Sequence, residues 1–169
     1  MMKITALKSL LAASATLLAI SFSGAQADEY PNRPIQVILP FAGGSASDVV
    51  TRIMLDRMAK SIGQSFVVDN RPGAGGNTGT AAATKAAPDG YTLVMSTSGP
   101  LAANKTLFKN LGYEPEKDFA PISLFAVLPN VIVINSKLPP KTLTEFVAYA
   151  KQHPKELNYG SVGVGSSQH

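Results

Sequence analysis

A glycine and serine loop is the part of the sequence whose residue types come nearest to a catalytic motif. The segment Gly43-Gly-Ser-Ala-Ser47 follows an apolar run and nearly matches the nucleophile elbow G-x-S-x-G, with serine in place of the last glycine. A nucleophile at Ser45 would also need a histidine base and an acid. The two histidines of the chain are His153, before a proline, and His169, the last residue. A serine hydrolase using Ser45 is therefore an alternative based on an incomplete motif.

Two other glycine-rich segments and the few metal-binding residue types give weaker signals. Gly73–Thr78 and Gly163–Gln168 each contain part of a dinucleotide fingerprint, but the third glycine is missing from both. Two widely separated histidines and no cysteine give no metal-ligand spacing, so neither a metal nor another cofactor is expected. Non-covalent binding remains. Backbone N–H groups at a helix N-terminus can hold a carboxylate without a cation, although a plain capped turn explains loop 40–48 equally well.

Strand–loop–helix units would position these loops. Ile35–Leu39 predicts a buried strand, and residues 46–62 predict a helix with Ser45 as its N-cap, Asp48 in a capping box and Gly63 after its end. Because strands and helices alternate, the sequence predicts an α/β fold with a mostly parallel sheet. The next predicted elements are strands over 65–68 and 91–95 and helices over about 78–87 and 101–108.

The pattern changes after Phe119. Two strand-like runs, 121–128 and 131–134, follow one another without a helix between them, and this break predicts a crossing into a second lobe. A helix over about 142–152 and a strand starting at 157–159 then lead to a final glycine and serine segment. The sequence ends where another helix should begin.

The N-terminus predicts export. Lys3 and Lys8 precede the apolar run 10–20, which ends at Ala25-Gln-Ala27, so residues 1–27 are predicted to be a signal peptide cleaved after Ala27. The run is shorter than the ~20 apolar residues of a membrane span. Removing residues 1–27, with Lys3 and Lys8, lowers the net charge from +4 to +2 and leaves no basic cluster that would indicate nucleic acid. No cysteine is present for a disulfide or a lipid anchor, and a periplasmic location is predicted.

Five motifs follow one another along the chain. They are Tyr30-Pro-Asn-Arg-Pro-Ile35, Pro40-Phe-Ala-Gly-Gly44 with Asp48 and Arg52, Asn70-Arg-Pro-Gly-Ala-Gly-Gly-Asn77, Pro88-Asp-Gly-Tyr91, and Asn158-Tyr-Gly-Ser161 with Gly163, Gly165, Ser166 and His169. Together they resemble the extracytoplasmic solute receptors of the tripartite tricarboxylate transporter system, the Bug family. The resemblance implies a type II-like periplasmic binding protein, a Venus flytrap with two lobes joined by crossing strands. Lobe 1 would comprise 28–123 and the beginning of lobe 2 would comprise 124–169, with lobe 2 truncated because family members are longer.

The resemblance also implies a function. The protein would be no enzyme but a receptor that binds a small carboxylate or amino acid and delivers it to the membrane permease subunits of a transporter. Carried over by position, the ligand-binding residues are Phe41, Ala42, Gly43, Gly44, Ser47, Asp48, Asn77, Thr97 and Ser98 on the first lobe, and Ser161, Gly165, Ser166, Ser167 and His169 on the second. A truncated remnant without function is a further alternative. Half a receptor would leave sheet edges and apolar faces uncovered, so we expect the chain alone to be poorly stable or aggregation-prone.

Overall fold

A three-stranded parallel sheet organises the first part of the structure. The computed structural model describes residues 29–169, so the predicted signal peptide lies outside the described part. Strand β1 (Ile35–Leu39) lies in the middle, with β2 (Phe66–Asn70) on one side and β3 (Thr92–Val94) on the other. Because all three strands run in the same direction, the loops that follow them lie at one edge of the sheet.

The central strand is apolar along almost its whole length because both of its faces are covered. Val37 is fully buried, between Val68 of β2 and Leu93 of β3 in the sheet register. Ile38 and Leu39 are also buried, as expected for a strand inside a parallel sheet. The prediction of a buried strand at this position is confirmed.

Helix α1 (Ala46–Ile62) follows β1 and has both of the end signals that the sequence predicted. The Ser45 side chain accepts a hydrogen bond from the Asp48 N–H, which satisfies one of the free donors at the helix N-terminus. At the other end Gly63 adopts a left-handed conformation, and its N–H donates to the Ala59 carbonyl. This left-handed geometry is the reason that glycine closes the helix.

The two helices predicted after β2 and β3 differ from those in the structure. Helix α2 (Asn77–Ala83) follows a single 3₁₀ turn, Ala74–Gly76, and stops before residue 87. Beyond its end, the N–H groups of Lys85 and Ala86 donate to carbonyls three residues back, so the last residues form turns instead of α-helix. The helix predicted over 101–108 is a π-helical turn, Gly99–Ala103, followed by the one-turn helix α3 (Asn104–Leu107).

The strands predicted after residue 119 are not formed. Between α4 (Pro115–Asp118) and α5 (Leu143–Gln152) the described chain contains no strand, and none is formed at 157–159. A strand needs a neighbour to accept and donate its backbone hydrogen bonds, and no described segment pairs with these runs. Their apolar side chains are largely exposed, among them Ile122 at 81% and Val133 at 85%. The division of the chain into lobes near residue 123 stays a prediction.

Helix α5 confirms the predicted helix over 142–152. Its N-cap is Thr142, whose hydroxyl accepts from the Glu145 N–H at 3.2 Å, while the Glu145 carboxylate accepts from the Lys141 N–H at 2.7 Å. This reciprocal arrangement resembles a capping box. Within residues 29–169, no helix has both the length and the apolar character needed to cross a membrane.

Candidate functional site

The candidate site lies at the sheet edge where the three strands end. The chain passes from β1 to its neighbour β2, and then crosses to the opposite side of β1 to form β3. In open parallel sheets, the point where the strand order reverses leaves a crevice outside the carboxyl ends of the strands. The loop after β1, residues 40–45, borders this crevice. It is the same loop that resembles a nucleophile elbow.

A hydrogen-bond network around Asp48 fixes the loop after β1. The Asp48 carboxylate accepts from the Gly44 N–H at 2.9 Å, from Arg52 Nε at 2.9 Å and from Asn70 Nδ2 at 3.0 Å. Asn70 Nδ2 also lies 3.0 Å from the Phe41 carbonyl oxygen, which it can reach as a donor. The hydrogen bond from Arg52, followed by those from Gly44 and Asn70, lowers the pKa of Asp48 to about 2. Asp48 is only 4% exposed, so its carboxylate accepts hydrogen bonds within the protein and is not accessible to a ligand.

The same loop offers several unpaired hydrogen-bond donors. The backbone N–H groups of Gly43, Ala46 and Ser47 have no acceptor among the described residues. Gly43 and Ala46 are exposed, and Ser47 is half-buried. The N–H groups of Ala46 and Ser47 belong to the first turn of the 17-residue helix α1, where the helix dipole is positive. Donors of this kind can hold a carboxylate.

The side chain of Ser45 has a structural role in the described network. Its hydroxyl oxygen accepts from the Asp48 N–H at 3.3 Å. Neither histidine hydrogen-bonds to it: His153 Nδ1 lies 2.9 Å from the Tyr149 carbonyl oxygen, and His169 Nδ1 lies 3.0 Å from Ser161 Oγ. The described residues also contain no cluster of three or more His, Cys, Asp or Glu side chains that could hold a metal ion.

A buried cluster of side-chain hydrogen bonds, centred on Asn77 and Asn104, lies next to the loop that follows β2. Asn104 is fully buried and donates from Nδ2 to Asn77 Oδ1 at 2.6 Å. The Tyr113 hydroxyl lies 2.8 Å from the Pro100 carbonyl oxygen and 3.3 Å from Asn77 Oδ1, and its burial raises the pKa of Tyr113. The Oδ1 atom of Asn104 has no partner among the described residues. Of the predicted site residues, Asn77 is therefore anchored by the protein through its oxygen.

The loops that follow β1, β2 and β3 pack against one another at Gly76. A Cβ on this glycine would stand 2.8 Å from Pro100 Cγ and 3.1 Å from Phe41 Cζ, which is closer than side chains normally approach. Gly76 also has a φ of 102°, a conformation that favours glycine. Gly76, in the loop after β2, thus lies against both the buried ring of Phe41 and Pro100 of the loop after β3.

The last segment of the chain, residues 161–169, packs against the loops that follow β2 and β3, and this region of contact is called the junction below. Gly165 is buried against Asn104, and the segment is folded on itself: Ser166 Oγ donates to the Gly163 carbonyl at 2.7 Å, and the Gly163 N–H donates to Ser161 Oγ at 3.1 Å. Ser161 and His169 are exposed and hydrogen-bond to each other.

Among the predicted site residues, Gly44 hydrogen-bonds directly to Asp48 and Ser161 to His169, whereas others meet only through residues that were not predicted. Phe41, Asn77 and Gly165 meet at the junction, each through a residue that the sequence prediction did not include: Gly76 or Asn104. The exposed predicted residues lie around it without hydrogen bonds between the two sides; they are Ala42, Gly43, Gly44, Ser98, Ser161, Ser167 and His169. Thr97, Ser47 and Ser166 are half-buried.

Comparison with known proteins identifies the family. Residues 50–169 match the family described as "Tripartite tricarboxylate transporter family receptor". The chain belongs to this family. The chain is 42% identical over 144 residues to Protein BugT of Bordetella pertussis, and 35% identical over 162 residues to a UPF0065 protein of the same species. These matches cover 85% and 95% of this chain, but only 44% and 50% of the relatives. The chain thus spans about half the length of the curated relatives that it matches.

Solved structures also resemble this chain, including one of the periplasmic binding protein BugD, with a TM-score of 0.71 at 32% identity. A structure described as a periplasmic transporter has a TM-score of 0.77 at 41% identity, and MatC from Rhodopseudomonas palustris with bound malate has a TM-score of 0.76 at 38% identity. An R. palustris protein with adipate has a TM-score of 0.77 at 36% identity. The alignments cover 81% to 82% of this chain and 46% to 47% of those chains. The predicted fold class, the α/β fold of a periplasmic binding protein, is confirmed.

Proposed function

We propose that the protein is a periplasmic receptor that binds a small carboxylate and delivers it to the membrane subunits of a tripartite transporter. The observation that carries this proposal is the loop after β1. It places the unpaired N–H groups of Gly43, Ala46 and Ser47 at the crevice, and its acid, Asp48, is buried and neutralised by Arg52. A site with N–H donors, a positive helix end and no free carboxylate favours an anion.

The kind of anion is inferred from the relatives and from the opposite side of the junction. Relatives in solved structures carry malate and adipate, both of which have two carboxylates. One carboxylate would bind at the N-terminus of α1. The other would bind at the hydroxyl and imidazole groups of Ser161, Ser167 and His169 in the final segment, because the Ser166 hydroxyl already donates to the Gly163 carbonyl. The amino acids aspartate and glutamate, which also have two carboxylates, belong to the same proposal.

Location and partners follow from the same proposal. The receptor would be exported by the signal peptide over residues 1–27 and would act in the periplasm without a cofactor or nucleic acid. The serine hydrolase alternative is disfavoured, because the Ser45 hydroxyl caps a helix and hydrogen-bonds to neither histidine among the described residues. Its ligand would pass to the permease subunits of the transporter.

Isothermal titration of the purified chain with malate, adipate, citrate, aspartate and glutamate tests the proposal. We expect at least one of these acids to bind. Ala46→Pro removes one unpaired N–H at the first position of α1, where proline is tolerated and where Ser45 already has the extended conformation that proline requires of its predecessor. A hydrogen bond to a charged group contributes about 1.5–3 kcal/mol, so affinity should fall by roughly 10- to 150-fold.

Ala46→Ser keeps the N–H and is the matched control, which should bind like the parent chain. Equal binding by Ala46→Pro and the parent would place the carboxylate elsewhere. If none of the five acids binds, the carboxylate receptor is refuted for this chain. Covalent labelling of Ser45 by a fluorophosphonate probe would instead favour the hydrolase alternative.

A further inference from the structure

The segment 163–165 lies directly on the backbone of two other loops. A Cβ on Gly75 would overlap the Val164 carbonyl oxygen, and a Cβ on Gly99 would overlap the Gly165 carbonyl oxygen. A Cβ on Gly163 would lie 3.4 Å from the Gly75 nitrogen, so the contact is close from both directions. Gly75 and Gly99 together are called the glycine platform below.

Local conformation does not explain the glycine at position 99. Gly75 has a φ of 63°, which by itself favours glycine. Gly99 is not among the glycines with positive φ and begins a helical turn, so its backbone would accept any L-residue. What a side chain at position 99 would meet is the Gly165 carbonyl group, which belongs to a segment 66 residues further along the chain.

The contact also closes the buried cluster centred on Asn77 and Asn104. Gly165 packs so closely on Asn104 that a Cβ there would lie 2.6 Å from Asn104 Oδ1 and 2.7 Å from Nδ2. The side chain of Asn104 is buried, and its Oδ1 atom accepts no hydrogen bond from any described residue. A displacement of the final segment would therefore uncover this amide, and water could then solvate it.

We propose that the glycine platform positions the final segment over the loops that follow β2 and β3, and that Gly99 is a positioning residue for ligand binding. The segment carries the exposed side chains of Ser161 and His169. A methyl group on Gly99 moves this segment away and separates these groups from the donors of the loop after β1. The link to ligand binding rests on the proposed carboxylate receptor, whereas the platform contact does not.

Nuclear Overhauser spectra of the ¹⁵N,¹³C-labelled chain test both parts. In the parent chain we expect cross-peaks from Gly99 to Gly165 and from Gly75 to Gly163. Gly99→Ala should lose these cross-peaks and retain the amide shifts of β1, and its affinity for malate or adipate should fall at least tenfold. Gly160→Ala is the matched control: it lies beside the same segment, its Cβ meets nothing within 4 Å and its φ is not positive. It should leave the cross-peaks and the affinity unchanged.

The two proposals fail in distinguishable ways. Absence of the cross-peaks from the parent chain overturns the platform whatever the chain binds. Loss of the cross-peaks in Gly99→Ala with unchanged affinity overturns the positioning role. A parent chain that shows the cross-peaks but binds neither acid refutes the receptor, while the platform contact is supported by the spectra alone. Loss of the β1 shifts in Gly99→Ala would assign Gly99 to the stability of the fold and overturn the positioning role.

Discussion

Gly79 lies inside helix α2 at a point where the helix backbone contacts the ends of two strands. A Cβ at this position would stand 2.6 Å from the Arg71 carbonyl oxygen and 2.8 Å from both Cα and Cβ of Pro40. These atoms cannot move independently, because the Arg71 N–H donates to the Leu39 carbonyl at 2.8 Å and so ties β1 to β2. We therefore expect Gly79→Ala to strain the contact between α2 and the loop after β1.

Two opposing effects set the size of the change. Alanine is the better helix former by about 1 kcal/mol, which would stabilise the variant. Forcing a methyl group into a packed contact costs about 1–3 kcal/mol, and the larger figure applies here because three backbone or ring atoms lie within 3.0 Å. The expected net result is a free energy of unfolding lower by about 2 kcal/mol, which urea unfolding followed by far-ultraviolet circular dichroism would detect.

Gly43→Ala is the matched control for this measurement. Its Cβ would lie 3.8 Å from Asn70 Oδ1, an ordinary contact, and its φ is not positive. This variant should be neutral or more stable by about 0.4–1 kcal/mol, because alanine reduces the entropy of the unfolded chain. A Gly79→Ala variant at least as stable as the parent would refute the packing argument, since the loop would then yield without cost.

Three further predictions concern the pH dependence of stability, the cap of α1 and the exposed apolar runs. Asp48 has a folded-state pKa of about 2, below the ordinary value of 3.8, so its stabilising contribution is present above about pH 4 and is lost as the pH falls towards 2. The difference in urea midpoint between the parent and Asp48→Asn should therefore shrink from pH 5 to pH 2, and a constant difference would contradict this assignment. Ser45→Ala should lower the free energy of unfolding by about 1 kcal/mol through loss of the N-cap, whereas Ser45→Asp should keep it; equal losses would exclude a capping role. Val133→Lys should reduce light scattering on concentration without changing the urea midpoint, because Val133 is 85% exposed, and unchanged scattering would show that this run does not drive association.

The parts of the fold that the sequence predicted are those set by neighbouring residues. Ser45, Asp48 and Gly63 lie within or next to one helix, and each acts on atoms a few residues away. The buried strand β1 was evident from its unbroken apolar run. The predicted end of the helix that stops at residue 83, and the predicted start of the helix that begins at residue 104, were less accurate. Turns that compete with α-helix at such ends differ from it by only small free energies.

Contacts between distant segments could not be read from local patterns. The strand-like runs after residue 119 have high β propensity, but a strand forms only with a partner, and the described chain offers none. Likewise, the sequence around Asn104 indicates a helix but does not show that its amide meets Asn77 and Gly165. The Arg52 and Asp48 pair was a missed site contact with a local signal, because residues four apart on a helix are neighbours.

The network that joins Asp48, Arg52, Asn70 and Gly44 also bears on how fast a ligand could bind. It fixes the loop after β1 through hydrogen bonds within the protein, while Gly43 and Ala46 of that loop and the helix start remain exposed. Association with a loop of this kind needs no slow rearrangement on this side of the site, so the observed rate of the first encounter should rise in proportion to ligand concentration. Differences in affinity among acids would then be set by how long each one stays bound, and the final segment, Ser161 to His169, would determine that residence time.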